Sequence, residues 1–183
     1  MRIIAGLARG MTLAVPSGDN TRPTSDRTRE AIFSSLGNRV VDAVVLDLFA
    51  GTGGLGLEAA SRGAKSVTFV ENARSAMDCL KRNVESARTR PEMGCELEIV
   101  RDDVFSEIRR RETPVDLILA DPPYGEMPQK LVDEIGLPKL LKEDGLLVLE
   151  LAKRDKLAVP PVWRVVRDAV YGDTRVCFLG RVS

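Results

Sequence analysis

Histidine is absent from all 183 residues. That removes every catalytic triad built on imidazole and every zinc site that needs one. Catalysis in such a chain must come from carboxylates, backbone groups and positioning. Cysteine is scarce: Cys79, Cys95 and Cys177 are odd in number and far apart in sequence, which suits a reduced cytosolic chain. No apolar run approaches the roughly 20 residues that a membrane helix needs. Met1 to Gly6 opens the chain without the apolar stretch of a signal peptide. A cytoplasmic protein without membrane contact is expected. Repeats, low-complexity tracts and long linkers are also missing.

Hydrophobic residues make up 44% of the chain and charged residues 30%, the proportions of an ordinary globular protein. The length fits one domain with a substantial core and a small appendage. Net charge is zero, but it is unevenly spread. Residues 1–39 hold 6 basic and 3 acidic side chains, residues 40–151 hold 14 and 21, and residues 152–183 hold 7 and 3. The ends are basic and the middle is acidic. Twenty of the 27 basic residues are arginine, the side chain best suited to bidentate phosphate contacts and to stacking. Ordinary solvated charge accounts for any single arginine equally well, so total charge alone does not indicate a polyanionic partner.

Ile3-Ile4 and Met11 to Val15 read as two short strands around Gly6 and Gly10, hence a hairpin. Thr21 to Asp26 is a turn in which Thr24 or Ser25 can cap a helix over Arg27 to Leu36. From residue 43 the pattern becomes a regular alternation. Strands are expected at Ala43–Leu48, Ser66–Val70, Glu96–Val100, Val115–Ala120 and Leu146–Leu151. Helices are expected between them at Leu55–Arg62, Arg74 to about Arg88, a short stretch after Glu96–Val100, and Gln129–Leu141. Trp163–Val170 and Thr174–Leu179 resemble an antiparallel pair around Tyr171-Gly172-Asp173. Strands alternating with helices predict an α/β fold with a mostly parallel sheet, on which a closing hairpin is an allowed variation. Residues 1–42 form an N-terminal hairpin and helix extension in this reading, and residues 43–183 the core.

Two motifs carry chemistry. In Asp47-Leu48-Phe49-Ala50-Gly51-Thr52-Gly53-Gly54-Leu55-Gly56, Gly51, Gly53 and Gly56 permit a tight strand-to-helix turn that a ligand can approach without Cβ obstruction. Glu71 lies 20 residues past Gly51, where a strand-end carboxylate can accept from both hydroxyls of a ribose. A dinucleotide would place pyrophosphate on the helix N-terminus. S-adenosylmethionine has no phosphate and favours an acid at the start of the turn, facing its ammonium, and Asp47 stands there. Asp103, after the third strand, can accept from an adenine amine, although capping a helix is the plainer role for such an acid. The candidate cofactor residues are Asp47, Phe49, Ala50, Gly51, Gly53, Gly56, Glu71, Asp103 and Val104.

The second motif is Asp121-Pro122-Pro123-Tyr124, after the apolar run Val115 to Ala120. An exocyclic base amine is a poor nucleophile because its lone pair is delocalised into the ring. Methylating one requires acceptors for its N–H groups and a flat surface for the base. A carboxylate, a stiff Pro-Pro backbone with exposed carbonyls and an aromatic ring supply those parts. The catalytic candidates are therefore Asp121, Pro122, Pro123 and Tyr124, with no metal.

Over essentially its full length the chain resembles the small, single-domain bacterial 16S rRNA guanine-N2 methyltransferases, which modify one guanine of the 30S subunit. The likeness rests on Met1 to Gly6, Arg9-Gly10 with Leu13 and Pro16, and Arg22-Pro23-Thr24 with Asp26, Arg27, Arg29 and Glu30. It continues through Asp47 to Ala59, Asp121 to Tyr124, and Tyr171 to Thr174. The resemblance implies a Rossmann-like class I methyltransferase fold of seven strands, with S-adenosylmethionine held by the glycine turn, Glu71 and Asp103. It also implies that Asp121 to Tyr124 bind the base, and that the partner is 16S rRNA in a 30S subunit or assembly intermediate. Arg9, Arg22, Thr24, Arg27 and Arg29 are the candidate RNA contacts. The arginines around residue 27 can equally hold the cofactor carboxylate, or pair with Asp26 and Glu30 across helix turns. The motif from Asp121 is shared with DNA adenine-N6 and protein glutamine methyltransferases. Those alternatives need a target-recognition region, for which this chain has little room. A dinucleotide oxidoreductase would leave the motif unexplained, and a non-catalytic RNA-binding module would leave the intact site unexplained.

Overall fold

The computed structural model describes residues 1–16, 26–123 and 125–182. After helix α1 (Asp26–Leu36) the chain alternates through β1 (Val44–Leu48), α2 (Gly54–Ser61), β2 (Ser66–Glu71), α3 (Arg74–Arg88), β3 (Glu96–Arg101), α4 (Val104–Arg110) and β4 (Val115–Ala120). It continues with α5 (Met127–Asp133), β5 (Leu141–Ala152), β6 (Trp163–Tyr171) and β7 (Thr174–Arg181). The seven strands form one sheet in the order β3-β2-β1-β4-β5-β7-β6. The first five are parallel, and β7 pairs antiparallel with both β5 and β6.

Period-two alternation explains the layers. Val45, Val67, Phe69, Leu117, Leu119 and Val148 point to one face and pack with α1, α2 and α3. Leu46, Leu48, Val70, Ile118, Leu147 and Leu149 point to the other and pack with α4 and α5. Strands covered on both faces read as continuous apolar runs, as parallel strands should. The Trp163 indole N–H donates to the Val132 carbonyl at 2.9 Å, tying the start of β6 to α5.

Three expectations are corrected. The N-terminal strands reduce to one antiparallel bridge between Arg2 and Thr12; Ile3 keeps the hairpin pairing, donating to the Met11 carbonyl at 3.0 Å and accepting from the Gly10 amide at 2.9 Å, while Ile4, Ala5, Leu7 and Ala8 donate to α2. Glu58 accepts from the Ile4 and Ala5 amides at 2.8 and 3.1 Å, and Ser61 Oγ accepts from the Ala8 amide at 2.9 Å. The expected helix over Gln129–Leu141 starts earlier and stops at Asp133, followed by a 3-10 turn at Leu137–Leu140. The chain turns extended at Glu134 (ψ 114°), and Pro138 stands at the start of the 3-10 turn. Strand β5 then begins at Leu141, five residues before the expected start.

Candidate active site

The sheet order reverses between β1 and β4, the crevice where open α/β sheets bind ligands outside the carboxyl ends of their strands. A cavity of about 1470 Å³ lies there, walled by residues following β1, β2, β3, β4 and β5. Asp47, Glu71, Asp103 and Asp121 all line it, together with Pro122 and Pro123. The fold therefore brings the four strand-end acids singled out in the sequence to one cavity.

The turn after β1 is built by left-handed backbone at Phe49 (φ 56°), Gly51 (φ 56°) and Gly53 (φ 84°). A bulky residue such as Phe49 rarely adopts this conformation, and such strain persists where the surroundings over-determine it. The Gly51 amide donates to Glu71 Oε2 at 2.8 Å, and the Gly53 amide to the Ala50 carbonyl at 2.7 Å. Phe49, Ala50 and Gly51 line the cavity. Gly53 and Gly56 serve a different purpose from the expected ligand approach. A Cβ on Gly53 would stand 2.7 Å from Leu80, and one on Gly56 would stand 2.4 Å from Phe69 and 2.8 Å from the Asp47 carboxylate. These glycines let α2 press against α3 and the sheet.

Asp47 is 1% exposed, and its Oδ2 accepts from the Gly56 amide at 2.9 Å. Burial pushes its carboxyl up to about 8; that hydrogen bond opposes the shift, while the nearby charges of Asp121 and Glu71 add to it. Glu71 is held by three backbone donors, from Gly51, Asn72 and Ala73. Its rotamer is thereby fixed at the end of β2. A carboxylate has about four lone-pair sites, so capacity for a ligand hydroxyl remains. Asp103 caps α4 by accepting from the Ser106 amide at 3.0 Å, and it also borders the cavity.

The remaining candidates separate. Val104 is 4% exposed and packs into the core below α4; its neighbour Phe105 lines the cavity instead. Arg9 and Arg27 are exposed. Arg29 corrects an expectation. Its side chain is fully buried, so it is withdrawn from any surface that RNA could touch. Burial pulls its guanidinium pKa down, and Glu58 and Asp26 pull the other way. Arg22, Thr24 and Tyr124 lie outside the described residues.

The model of a family described as conserved hypothetical protein 95 matches residues 1–180. The chain belongs to this family. It is 34% identical over 177 residues to ribosomal RNA small subunit methyltransferase D of Escherichia coli strain K12, covering 94% of this chain and 85% of that protein. A hypothetical protein of Thermus thermophilus superposes with a TM-score of 0.81 at 31% identity, covering 100% of this chain and 99% of that one. The ribosomal protein L11 methylase of Lactobacillus delbrueckii subsp. bulgaricus shares the fold at a TM-score of 0.62 and 19% identity, over 77% and 70% of the two chains.

The family member thus has the class I methyltransferase fold, and its cofactor is S-adenosylmethionine. The residues present fit that group. Acids stand at the strand ends where an ammonium, a ribose and an adenine amine would need acceptors, and the glycine turn presents backbone to the cavity. Among the described residues, Nε and Nη1 of the buried Arg29 have no hydrogen-bond partner. Sequence reasoning missed Phe105, Asn72, Lys153 and Arg154, all of which border the cavity. Lys153 and Arg154 sit just past β5, in a basic stretch whose only sequence signal was its charge. Among the described residues, no helix is long and apolar enough to cross a membrane.

Proposed function

We propose that this protein transfers the methyl group of S-adenosylmethionine to the exocyclic N2 of a guanine in 16S rRNA. The observation that carries the reading is the meeting of Asp121-Pro122-Pro123 with Asp47 and Glu71 at one cavity. RNA as the substrate is supported by the name of the Escherichia coli relative. A guanine amine as the acceptor rests on the chemistry of the motif.

The cofactor supplies a methyl group already activated on a sulfonium, so the protein's work is positioning and electrostatics. Asp121 and the Pro122 carbonyl accept the two N–H groups of the amine, which turns its lone pair out of conjugation and toward the methyl. Pro122 and Pro123 keep that backbone stiff, since neither can rotate freely about φ. Extracting the base from its stack costs a few kcal/mol. An aromatic ring at the site, the part assigned to Tyr124 by its place in the motif, returns about 1–3 kcal/mol. Lys153 and Arg154 are exposed at the rim, within reach of the phosphates flanking an extruded nucleotide.

The test is to incubate the protein with labelled S-adenosylmethionine and 30S subunits, protein-free 16S rRNA or duplex DNA, then identify the modified nucleoside. N2-methylguanosine in the rRNA is expected. N6-methyladenine in the DNA, or no transfer to any of the three, would overturn the substrate assignment.

A further inference from the structure

Acceptors at Asp121 and the Pro122 carbonyl would serve the amine of guanine, adenine or cytosine equally well, so they do not choose the base. The group that chooses must stand elsewhere on the cavity wall. Five of the described residues that wall the cavity are acids: Asp47, Glu71, Asp103, Asp121 and Asp173. The first three stand at the ends of β1, β2 and β3, on the side of the switch point where the glycine turn lies. Asp121 follows β4. Asp173 alone of the five comes from the antiparallel end of the sheet, between β6 and β7.

Its place is set by strand lengths. Ala120, the last residue of β4, pairs with Leu149, but β5 continues through Glu150, Leu151 and Ala152, paired with β7 as far as Thr174. Three residues of overhang raise this wall about 10 Å beyond the end of β4. Tyr171 pairs with Thr174, so Gly172-Asp173 is a two-residue hairpin turn at the top of the wall. Gly172 takes the left-handed conformation (φ 62°) that the first position of such a turn requires. The Lys153 amide donates to the Asp173 carbonyl at 2.8 Å, fixing the turn to the end of β5. Gly172 and the backbone thus shape the turn, and the aspartate adds a carboxylate to the wall facing Asp121.

We propose that Asp173 is a specificity-determining residue that accepts the N1–H of the target guanine while Asp121 and the Pro122 carbonyl hold its amine. The proposal rests on guanine N2 as the methyl acceptor. N1–H and the amine are neighbours on one edge of guanine, so acceptors on facing walls of the cavity read them together. Two strand spacings separate β4 from β7, about 10 Å, which two aspartate side chains span with a base edge between them. Adenine and cytosine present a lone pair at the corresponding ring nitrogen, and a carboxylate repels it. A charged acceptor makes a strong hydrogen bond to a ring N–H, and a site built for such a bond rejects a base that lacks it. The transfer itself is unchanged: the methyl passes from the sulfonium to N2, and Asp173 moves no proton.

The test replaces the methylated guanine by 2-aminopurine, using splint-ligated 16S rRNA assembled into 30S subunits. 2-Aminopurine keeps the 2-amino group but carries a lone pair at N1. The kcat/KM for methyl transfer is measured on both substrates. Wild-type protein is expected to prefer guanine by about 100-fold or more. Asp173→Asn keeps a turn-forming side chain and offers an N–H to the N1 lone pair. Its preference for guanine should fall by about 10–100-fold, the range for a hydrogen bond to a charged group. Asp121→Ala is the contrast, since both bases carry the amine: it should slow both substrates alike and keep the preference. If Asp173→Asn also slows both by one factor, the residue only shapes the turn and the proposal is overturned. Equal use of the two substrates by the wild type overturns it as well. Transfer by the wild type to neither substrate removes guanine N2 as the acceptor, and the proposal with it.

Discussion

Two acids in this cavity are specified by different surroundings. Asp47 is sealed under the glycine turn with one amide donor, whereas Glu71 is ringed by three. The consequence for Asp47 is a carboxyl raised from 3.8 to about 8 by burial first, and by Asp121 and Glu71. Between those values the folded chain holds a proton that the unfolded chain has released. Stability therefore falls as pH rises from about 4 to about 8 and levels off above. Asp47→Asn keeps an acceptor for the Gly56 amide and cannot ionise. Its stability relative to wild type should rise steadily between pH 5 and pH 8 in urea unfolding; parallel curves would show that Asp47 does not titrate there. Asp121 and Glu71 separate by role. Asp121→Ala is expected to lower turnover on rRNA by about 10²-fold or more, as removal of a transition-state hydrogen-bond partner does, with cofactor affinity within a factor of two. Glu71→Ala is expected to weaken cofactor binding by about tenfold or more. Calorimetry with both variants decides it, and a reversal of the two effects would exchange the assignments.

At the scale of elements, the contact of α2 with the sheet depends on one missing methyl. Gly56 faces Phe69, Val67 and Asp47 at distances that leave no room for a Cβ. Gly56→Ala should destabilise the fold by about 1–3 kcal/mol through overpacking, lowering Tm by roughly 2–12 °C for a chain of this size. An unchanged melting curve would mean that α2 shifts freely on the strands. The same contact explains what was legible in the sequence. Buried strands read as apolar runs, and the acids after them fell where the switch point needs them, so the parallel core and the wall of the cavity could be inferred. Gly56 was legible as a glycine of the turn, but its purpose was not, because Phe69 meets it only through the β1–β2 pairing. The burial of Arg29 was hidden for a similar reason. Arginine is usually exposed, and this one is enclosed by Glu58 and the backbone of Arg2, partners at long range in sequence.

Across the whole molecule the charge sums to zero, so long-range steering toward RNA is weak and any grip on RNA must be local. The topology supplies one such place. Strand β5 stands between β4 and the antiparallel pair β7-β6, so its carboxyl end delivers Lys153 and Arg154 to the rim beside Asp121 and Pro122. Arg109 offers a contrast, since it sits in the last turn of α4, ion-paired to Glu134 at 2.9 Å. Each phosphate neutralised on single-stranded RNA contributes about −0.7 to the slope of log affinity against log salt. Replacing Lys153 and Arg154 together by alanine should make that slope shallower by about 1.4 for an rRNA fragment and weaken binding most at low salt. Arg109→Ala should leave it unchanged. Fluorescence anisotropy over a salt series reads both. An unaltered slope in the double variant would move the RNA footprint away from the end of β5, and an equal effect from Arg109→Ala would mean that binding follows total charge rather than this rim.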